Sequence, residues 1–309
     1  MSTLGAVAGG TAPPDRSVPA LEVEGISASY GPYRALFDVS FAVPEAGVTA
    51  LIGSNGAGKT TVARVVSGLL ATTQGTIRLG GQVVTGLPAY RFARSGAAHV
   101  PEGRGVFANL TVEENLKLAF RQRGDRRSVP EALERAYEAF PVLSSRRKQA
   151  GGTLSGGEQR ILSLAKVLVV PPRLLIADEI SLGLAPVMID AVYDGLHRIN
   201  SSGTALLIVE QQVDRVLDIA GNAVVLEHGS VAYSGSAGGA MSAVESILAS
   251  RGERGSLEAS QSSTRSAPAW GGAPVEYQWR FRRRGGGGSP PATPSEGSTT
   301  ETSKGDKPA

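Results

Sequence analysis

One octapeptide narrows the folding options of this chain more than any other stretch: Gly53-Ser54-Asn55-Gly56-Ala57-Gly58-Lys59-Thr60, which fits G-x-x-x-x-G-K-[ST]. An apolar run from Val48 to Ile52 precedes it and reads as a buried strand, and Lys59 to Leu70 reads as a helix. Glycines between a strand and a helix let successive backbone N–H groups turn inward around a phosphate, and the helix N-terminus adds its positive end. Lys59 then reaches the β- and γ-phosphates, while the Thr60 hydroxyl, followed by Thr61, meets Mg²⁺. In a chain with 40 Gly, paired glycines are weak evidence. The lysine is stronger evidence, because Lys59 is the only Lys before Lys117, in a chain whose other basic residues are nearly all Arg.

A phosphate cradle of this kind needs a carboxylate at the end of a neighbouring strand to hold the metal. Leu174-Leu175-Ile176-Ala177-Asp178-Glu179 supplies an apolar strand ending in two acids. Asp178 is the expected Mg²⁺ ligand, and Glu179 is placed to polarise an attacking water. Between the two motifs stands Leu154-Ser155-Gly156-Gly157-Glu158-Gln159. It reads as a capping box, Ser155 at the N-cap and Glu158 three residues on, opening a helix whose glycine-flanked N-terminus is a second anion site.

Composition removes several other chemistries. The absence of Cys excludes disulfides, Cys-ligated zinc, iron–sulfur clusters and thiol catalysis, and three His (His99, His197, His228) make a multi-His metal site a poor fit. No apolar stretch approaches the roughly 20 residues of a membrane helix. Met1 to Pro19, rich in Gly, Ala and Pro, lacks the pattern of a signal peptide and reads as a disordered N-terminal arm, 1–19. The formal charge of +3 sits wholly beyond residue 250, so the body is neutral and no nucleic-acid partner is expected. From 251 to 309 Gly, Ser, Pro, Thr and Arg dominate, and the segment reads as a disordered low-complexity tail, with Trp270, Trp279 and Phe281 beside Arg280–Arg284.

Along the body, 20–250, strands are expected at Leu21 to Ile26, Ala35 to Val43, Val48 to Ile52, Arg173 to Ala177, Ala205 to Val209 and Ala223 to Leu226, alternating with helices. Residues Leu110 to Gln149 are charged and read as mostly helical. The rhythm is α/β with a helical insertion.

The P-loop, then Leu154 to Gln159, then Asp178-Glu179, in this order and spacing, resembles the signature of ABC-type ATPases over roughly Leu21 to Ser250. Val100-Pro101-Glu102-Gly103-Arg104, Leu110-Thr111-Val112-Glu113-Glu114-Asn115-Leu116, Ser181-Leu182-Gly183-Leu184-Ala185-Pro186 and Val209-Glu210-Gln211 narrow it. Together they look like the smaller ATPase subunit of branched-chain amino acid importers. The resemblance implies a P-loop ATPase core with an antiparallel β edge subdomain and an inserted helical subdomain at about 103–155. It also implies a head-to-tail dimer with a second ATPase subunit, a paralogue in those importers. Each ATP, with Mg²⁺, then lies between one protomer's P-loop and the other's Ser155, Gly156 and Gly157.

By the same resemblance Tyr30 stacks on adenine, and Glu102 takes the place of the usual Gln that senses metal, water and permease. Gln211 takes the place of the switch His; it can hydrogen-bond a γ-phosphate but cannot take up a proton near neutral pH, which leaves more to Glu179. Ile180 stands where the family usually has Pro after the catalytic Glu, and a loop without that fixed φ is expected to be looser. The implied function is to hydrolyse ATP at the cytoplasmic face of the cell membrane, energising uptake of branched-chain or related amino acids through a separate permease fed by an external solute-binding protein. The alternatives are an importer ATPase for urea or short amides, and a soluble ABC ATPase acting outside transport.

Overall fold

Short, largely apolar runs form the central strands, because a strand covered on both faces has no side to leave polar. The computed structural model describes residues 18–102, 105–123, 129–168, 171–247 and 249, all within a first unit, 1–259; a second unit, 260–309, lies outside them. The expected arm up to residue 17 and the expected tail from 251 therefore lie outside the described residues. Strands β3 (Val48–Gly53), β7 (Leu174–Asp178) and β8 (Ala205–Glu210) are buried along nearly their whole length. With β6 (Ala97–Val100), β9 (Asn222–Glu227) and β10 (Ser230–Ser236) they form a six-stranded sheet in the order β10-β9-β3-β8-β7-β6. All its pairs are parallel except β9 with β10. Those two are joined at His228 and Gly229, with φ of 48° and 80°, the turn handedness that matches strand twist.

A second, four-stranded sheet is antiparallel throughout, in the order β2-β1-β4-β5, built from β1 (Leu21–Tyr30), β2 (Tyr33–Val43), β4 (Gln74–Leu79) and β5 (Gln82–Val83). This is the α/β core with an antiparallel edge sheet that the resemblance implied.

Strand alternation divides the buried side chains into two cores, one on each face of the central sheet. Leu51, Leu174, Ile176, Leu207 and Val209 pack with the edge-sheet residues Leu21, Ile26 and Leu36. Helices α1 (Lys59–Val65) and α2 (Ala89–Arg94) join this side through Val62 and Phe92. Ala50, Ile52, Leu175, Ala177, Leu206 and Ile208 face the other way, onto α6 (Gly156–Leu168) and α7 (Pro186–Ser201). Each fully buried Leu or Ile contributes roughly 1.5–3 kcal/mol, so both faces hold the sheet rigid beneath its loops.

The described residues between 110 and 149 are mostly helical, as α3 (Val112–Arg123), α4 (Val129–Ala139) and α5 (Pro141–Ser145), lying between β6 and α6. A capping box opens α3: the Thr111 N–H donates to Glu114 Oε2 at 2.8 Å, and the Glu114 N–H to Thr111 Oγ1 at 3.2 Å. Helix α1 ends at Val65, short of the expected Leu70. There Ser67 Oγ donates back to the Ala63 carbonyl at 2.6 Å and the Leu69 N–H to that of Arg64 at 2.8 Å, closing the helix. After α7 and β8 come α8 (Val213–Leu217) and, beyond β10, a last helical stretch over 237–247.

Parallel register fixes where the loops emerge. Gly53 pairs with Leu226, Ile52 with Glu210, Asp178 with Val209 and Val100 with Ala177. The C-terminal ends of β3, β6, β7 and β8 therefore meet at one edge of the sheet, where parallel α/β sheets place their ligands.

Candidate functional site

Gly53 ends β3, and a Cβ there would lie 2.5 Å from the Leu226 carbonyl oxygen, so only glycine lets the chain leave the sheet at this point. The loop closes on itself through Ala57 N–H to Ser54 O at 3.1 Å. It is tied to the edge sheet by Gly229 N–H to Ala57 O at 2.9 Å and Phe37 N–H to Gly229 O at 2.8 Å. Lys59 is the first residue of α1 and is 4% exposed.

A cleft of about 500 Å³ opens over this loop. Asn55, Gly56, Gly58, Lys59, Thr60 and Thr61 form its floor, and Glu102 and Glu179 form one wall. Arg34, Ala35, Phe37, His228 and Gly229 supply the other. Motifs separated by more than a hundred residues thus share one cavity, of a size suited to a nucleotide. Lys59 Nζ stands 3.3 Å from Glu179 Oε1 and 3.4 Å from the Ser54 carbonyl oxygen.

Asp178 closes β7 at 1% exposure. Burial, reinforced by Glu179 and Glu102, raises its carboxyl to about 6, against the opposing pull of Lys59 and Arg64. Its Oδ1 is buried and accepts no hydrogen bond among the described residues. A buried acceptor lacking a partner beside a phosphate cradle fits Mg²⁺, which is commonly held by one or two carboxylates together with substrate phosphates. Asp178 and Thr60 are the residues that would hold it. Among the described residues no cluster of three His, Cys, Asp or Glu could hold a metal unaided, so the phosphates would complete its shell.

Glu179 has φ of 46°, a left-handed conformation uncommon outside glycine, and its N–H donates to Val209 O at 2.8 Å. Ile180, which stands where the resembled family usually has Pro, is fully buried in the helical core. Arg160 of α6 donates to the Pro101 carbonyl at 3.4 Å. Burial lowers its guanidinium, while Glu210, Glu102, Asp178 and Glu179 pull the other way, so four carboxylates face one cation.

Other expected residues stand apart from the cleft. Tyr30 is 41% exposed and does not line it; its hydroxyl accepts from Arg64 Nη1 at 3.3 Å. The aromatic ring in the lining is Phe37, with the Arg34 guanidinium 4.9 Å from its centre. Neither Phe37 nor Arg34 was singled out from sequence, since only the folding of the edge sheet over the P-loop brings them there. Gln211 is half-buried beyond β8, outside the lining. Ser155 and Gly156 are exposed at the start of α6 and Gly157 is buried against Met188, all three also outside the lining. The predicted capping box is present: Ser155 N–H to Glu158 Oε2 at 2.9 Å, Glu158 N–H to Ser155 Oγ at 3.3 Å.

Residues 36–181 match the ABC transporter family model. The high-affinity branched-chain amino acid transport ATP-binding protein BraG of Pseudomonas aeruginosa is 39% identical over 213 residues, which span 68% of this chain and 90% of BraG. The probable branched-chain amino acid transport ATP-binding protein LivF of Archaeoglobus fulgidus is 37% identical over 213 residues, 69% of this chain and 90% of LivF. A solved ATP binding subunit of an ABC transporter superimposes with a TM-score of 0.64 at 28% identity, covering 70% of this chain and 90% of that one. The chain belongs to the ABC transporter family and carries its ATP-binding cassette.

Proposed function

We propose that this chain binds and hydrolyses ATP in the cleft over Lys59, and that the cycle drives uptake of branched-chain or related amino acids through separate permease subunits. One observation carries the hydrolytic part: Lys59, at the head of α1, and Glu179, just past β7, meet as an ion pair at 3.3 Å in a cleft that Thr60 and Glu102 also line. The names of the relatives carry the transport part.

In this reading the N–H groups from Asn55 to Thr60 and the Lys59 ammonium cradle the phosphates. Mg²⁺ held by Thr60 and Asp178 supplies charge neutralisation on the phosphate oxygens when bound. The Glu179 carboxylate accepts a proton from water as its oxygen attacks the γ-phosphorus and the bond to the β–γ bridging oxygen breaks. Phe37 or Tyr30 packs on the base. Ser155, Gly156 and Gly157 lie outside their own cleft at a helix N-terminus, which suits donation to a γ-phosphate held by a partner subunit. Gln211 completes the site by hydrogen bonding. No described helix is long and apolar enough to cross a membrane, so transport needs partners that do.

The test is affinity purification of the tagged chain from membranes, followed by uptake assays with branched-chain amino acids, urea and short amides. Permease subunits and a paralogous ATPase should co-purify, and deleting the chain should abolish branched-chain uptake. Recovery of the chain with no membrane partner would support the soluble ATPase alternative instead.

A further inference from the structure

One buried carboxylate in this region has no part in the chemistry described above. Glu210 ends β8 at 1% exposure. Its Oε1 accepts the Ser181 N–H at 3.0 Å, and its Oε2 accepts the Gln211 N–H at 3.4 Å. The two donors belong to different loops. Ser181 lies two residues past Glu179 on the segment leaving β7, and Gln211 opens the segment leaving β8.

The register explains the meeting. Asp178 pairs with Val209 at the ends of the parallel strands β7 and β8, so the next residues of each chain emerge side by side. The Glu179 N–H is held by the Val209 carbonyl at 2.8 Å, and the Ser181 N–H by the Glu210 side chain. The turn Glu179-Ile180-Ser181 is thus pinned on both sides of Ile180 by consecutive residues of β8. This turn needs fastening for two reasons. Glu179 sits at φ 46°, which a non-glycine residue adopts only where its surroundings impose it. Position 180 holds Ile, without the fixed φ that Pro would supply.

We infer that Glu210 is a positioning residue for the reaction: its carboxylate braces the Glu179–Ser181 turn against the Gln211 loop, holding Glu179 in line with the γ-phosphate. A carboxylate buried at a strand end is costly unless its lone pairs are used, and this one uses both oxygens on backbone donors from the two loops flanking the site. Its negative charge also faces Arg160, as do Glu102, Asp178 and Glu179, so the brace belongs to the same charge cluster as the site.

This inference rests on Glu179 being the water-polarising residue, and the test separates the two. In the full chain, Glu210→Ala should lower kcat for ATP by roughly 10- to 100-fold while KM stays within about twofold, because the nucleotide floor is untouched and only alignment is lost. Glu210→Gln keeps an amide oxygen for the shorter bond, from the Ser181 N–H, and gives up only the 3.4 Å acceptor for the Gln211 N–H, so it should recover kcat to within about threefold of wild type. Hydrogen exchange at the Ser181 amide should quicken in Glu210→Ala and not in Glu210→Gln, with exchange in β3 unchanged. Should Glu210→Ala fail to fold, Glu210→Asp takes its place with the same expected loss, since the shorter side chain withdraws from Ser181. Wild-type turnover or wild-type Ser181 exchange in Glu210→Ala (or its replacement), a loss in Glu210→Gln equal to that in Glu210→Ala, or a KM rising in step with the fall in kcat would overturn the brace. A Glu179→Gln variant that hydrolyses at the wild-type rate would instead remove the assumed role of Glu179 and leave the exchange result standing.

Discussion

Lys59 Nζ and Glu179 Oε1 are 3.3 Å apart, with side-chain exposures of only 3% and 11%. The cation proposed to cradle phosphate and the carboxylate proposed to polarise water are therefore an ion pair. Under the proposed function, a γ-phosphate arriving between them would compete for the same ammonium and free Glu179 to meet water.

Removing one member of such a pair leaves the other buried without compensation, which costs about 3–5 kcal/mol. Lys59→Ala should therefore lower the melting temperature as well as abolish nucleotide binding. Adding Glu179→Gln to Lys59→Ala should restore part of the stability, because the stranded charge is gone. Thermal melts of the four proteins in this cycle, together with titration by a fluorescent ATP analogue, measure both effects.

Asp178 gives a pH signature. Its carboxyl, raised from 3.8 to about 6, keeps its proton in the folded chain over a range where the unfolded chain has lost it. Without added Mg²⁺ or nucleotide, this group therefore stabilises the fold fully below pH 4, and that contribution fades as pH rises toward 6. Asp178→Asn carries no such titration, so its melting temperature relative to wild type should climb between pH 4 and pH 6 and then level off. Mg²⁺-dependent nucleotide binding by the wild type should weaken below about pH 6, because the metal needs the ionised carboxylate.

Ser155→Ala removes the acceptor for the Glu158 N–H at the start of α6, which should cost about 1 kcal/mol in a denaturant melt. Glu158→Ala breaks the reciprocal bond and should cost a similar amount. The double variant should lose less than the sum, since the two bonds act as one cap.

Gly53→Ala directs a methyl group at the Leu226 carbonyl oxygen, 2.5 Å away in backbone held in place by the parallel pairing of β9 with β3 and its antiparallel pairing with β10. The P-loop must shift to admit it. Nucleotide affinity should fall by at least tenfold, a shift of about 1.4 kcal/mol, with secondary structure by circular dichroism retained.

What could be read from sequence was what is local. The start of α1 at Lys59, the strand ending in Asp178 and the capping box at Ser155 are each written in a few adjacent residues, and the described structure contains all three. Strands β4 and β6 went unread because four to six residues of mixed polarity carry too little periodicity to separate strand from loop. The stop of α1 depends on a side-chain bond from Ser67 back to Ala63, which no apolar pattern announces. Glu210 belongs to the Val209-Glu210-Gln211 motif, but its hold on Ser181 spans 29 residues and exists only because β7 and β8 are parallel neighbours. Phe37 and Arg34 reach the cleft for a similar reason, by the antiparallel sheet closing over the P-loop.

The central claim is that Glu179 polarises the water that attacks ATP held over Lys59. Steady-state phosphate release by the purified full chain, wild type against Glu179→Gln, tests it most directly when ATP affinity is measured alongside. Turnover should fall by roughly 10²- to 10⁴-fold with ATP still bound at near wild-type affinity. A Glu179→Gln chain that releases phosphate as fast as wild type would contradict it.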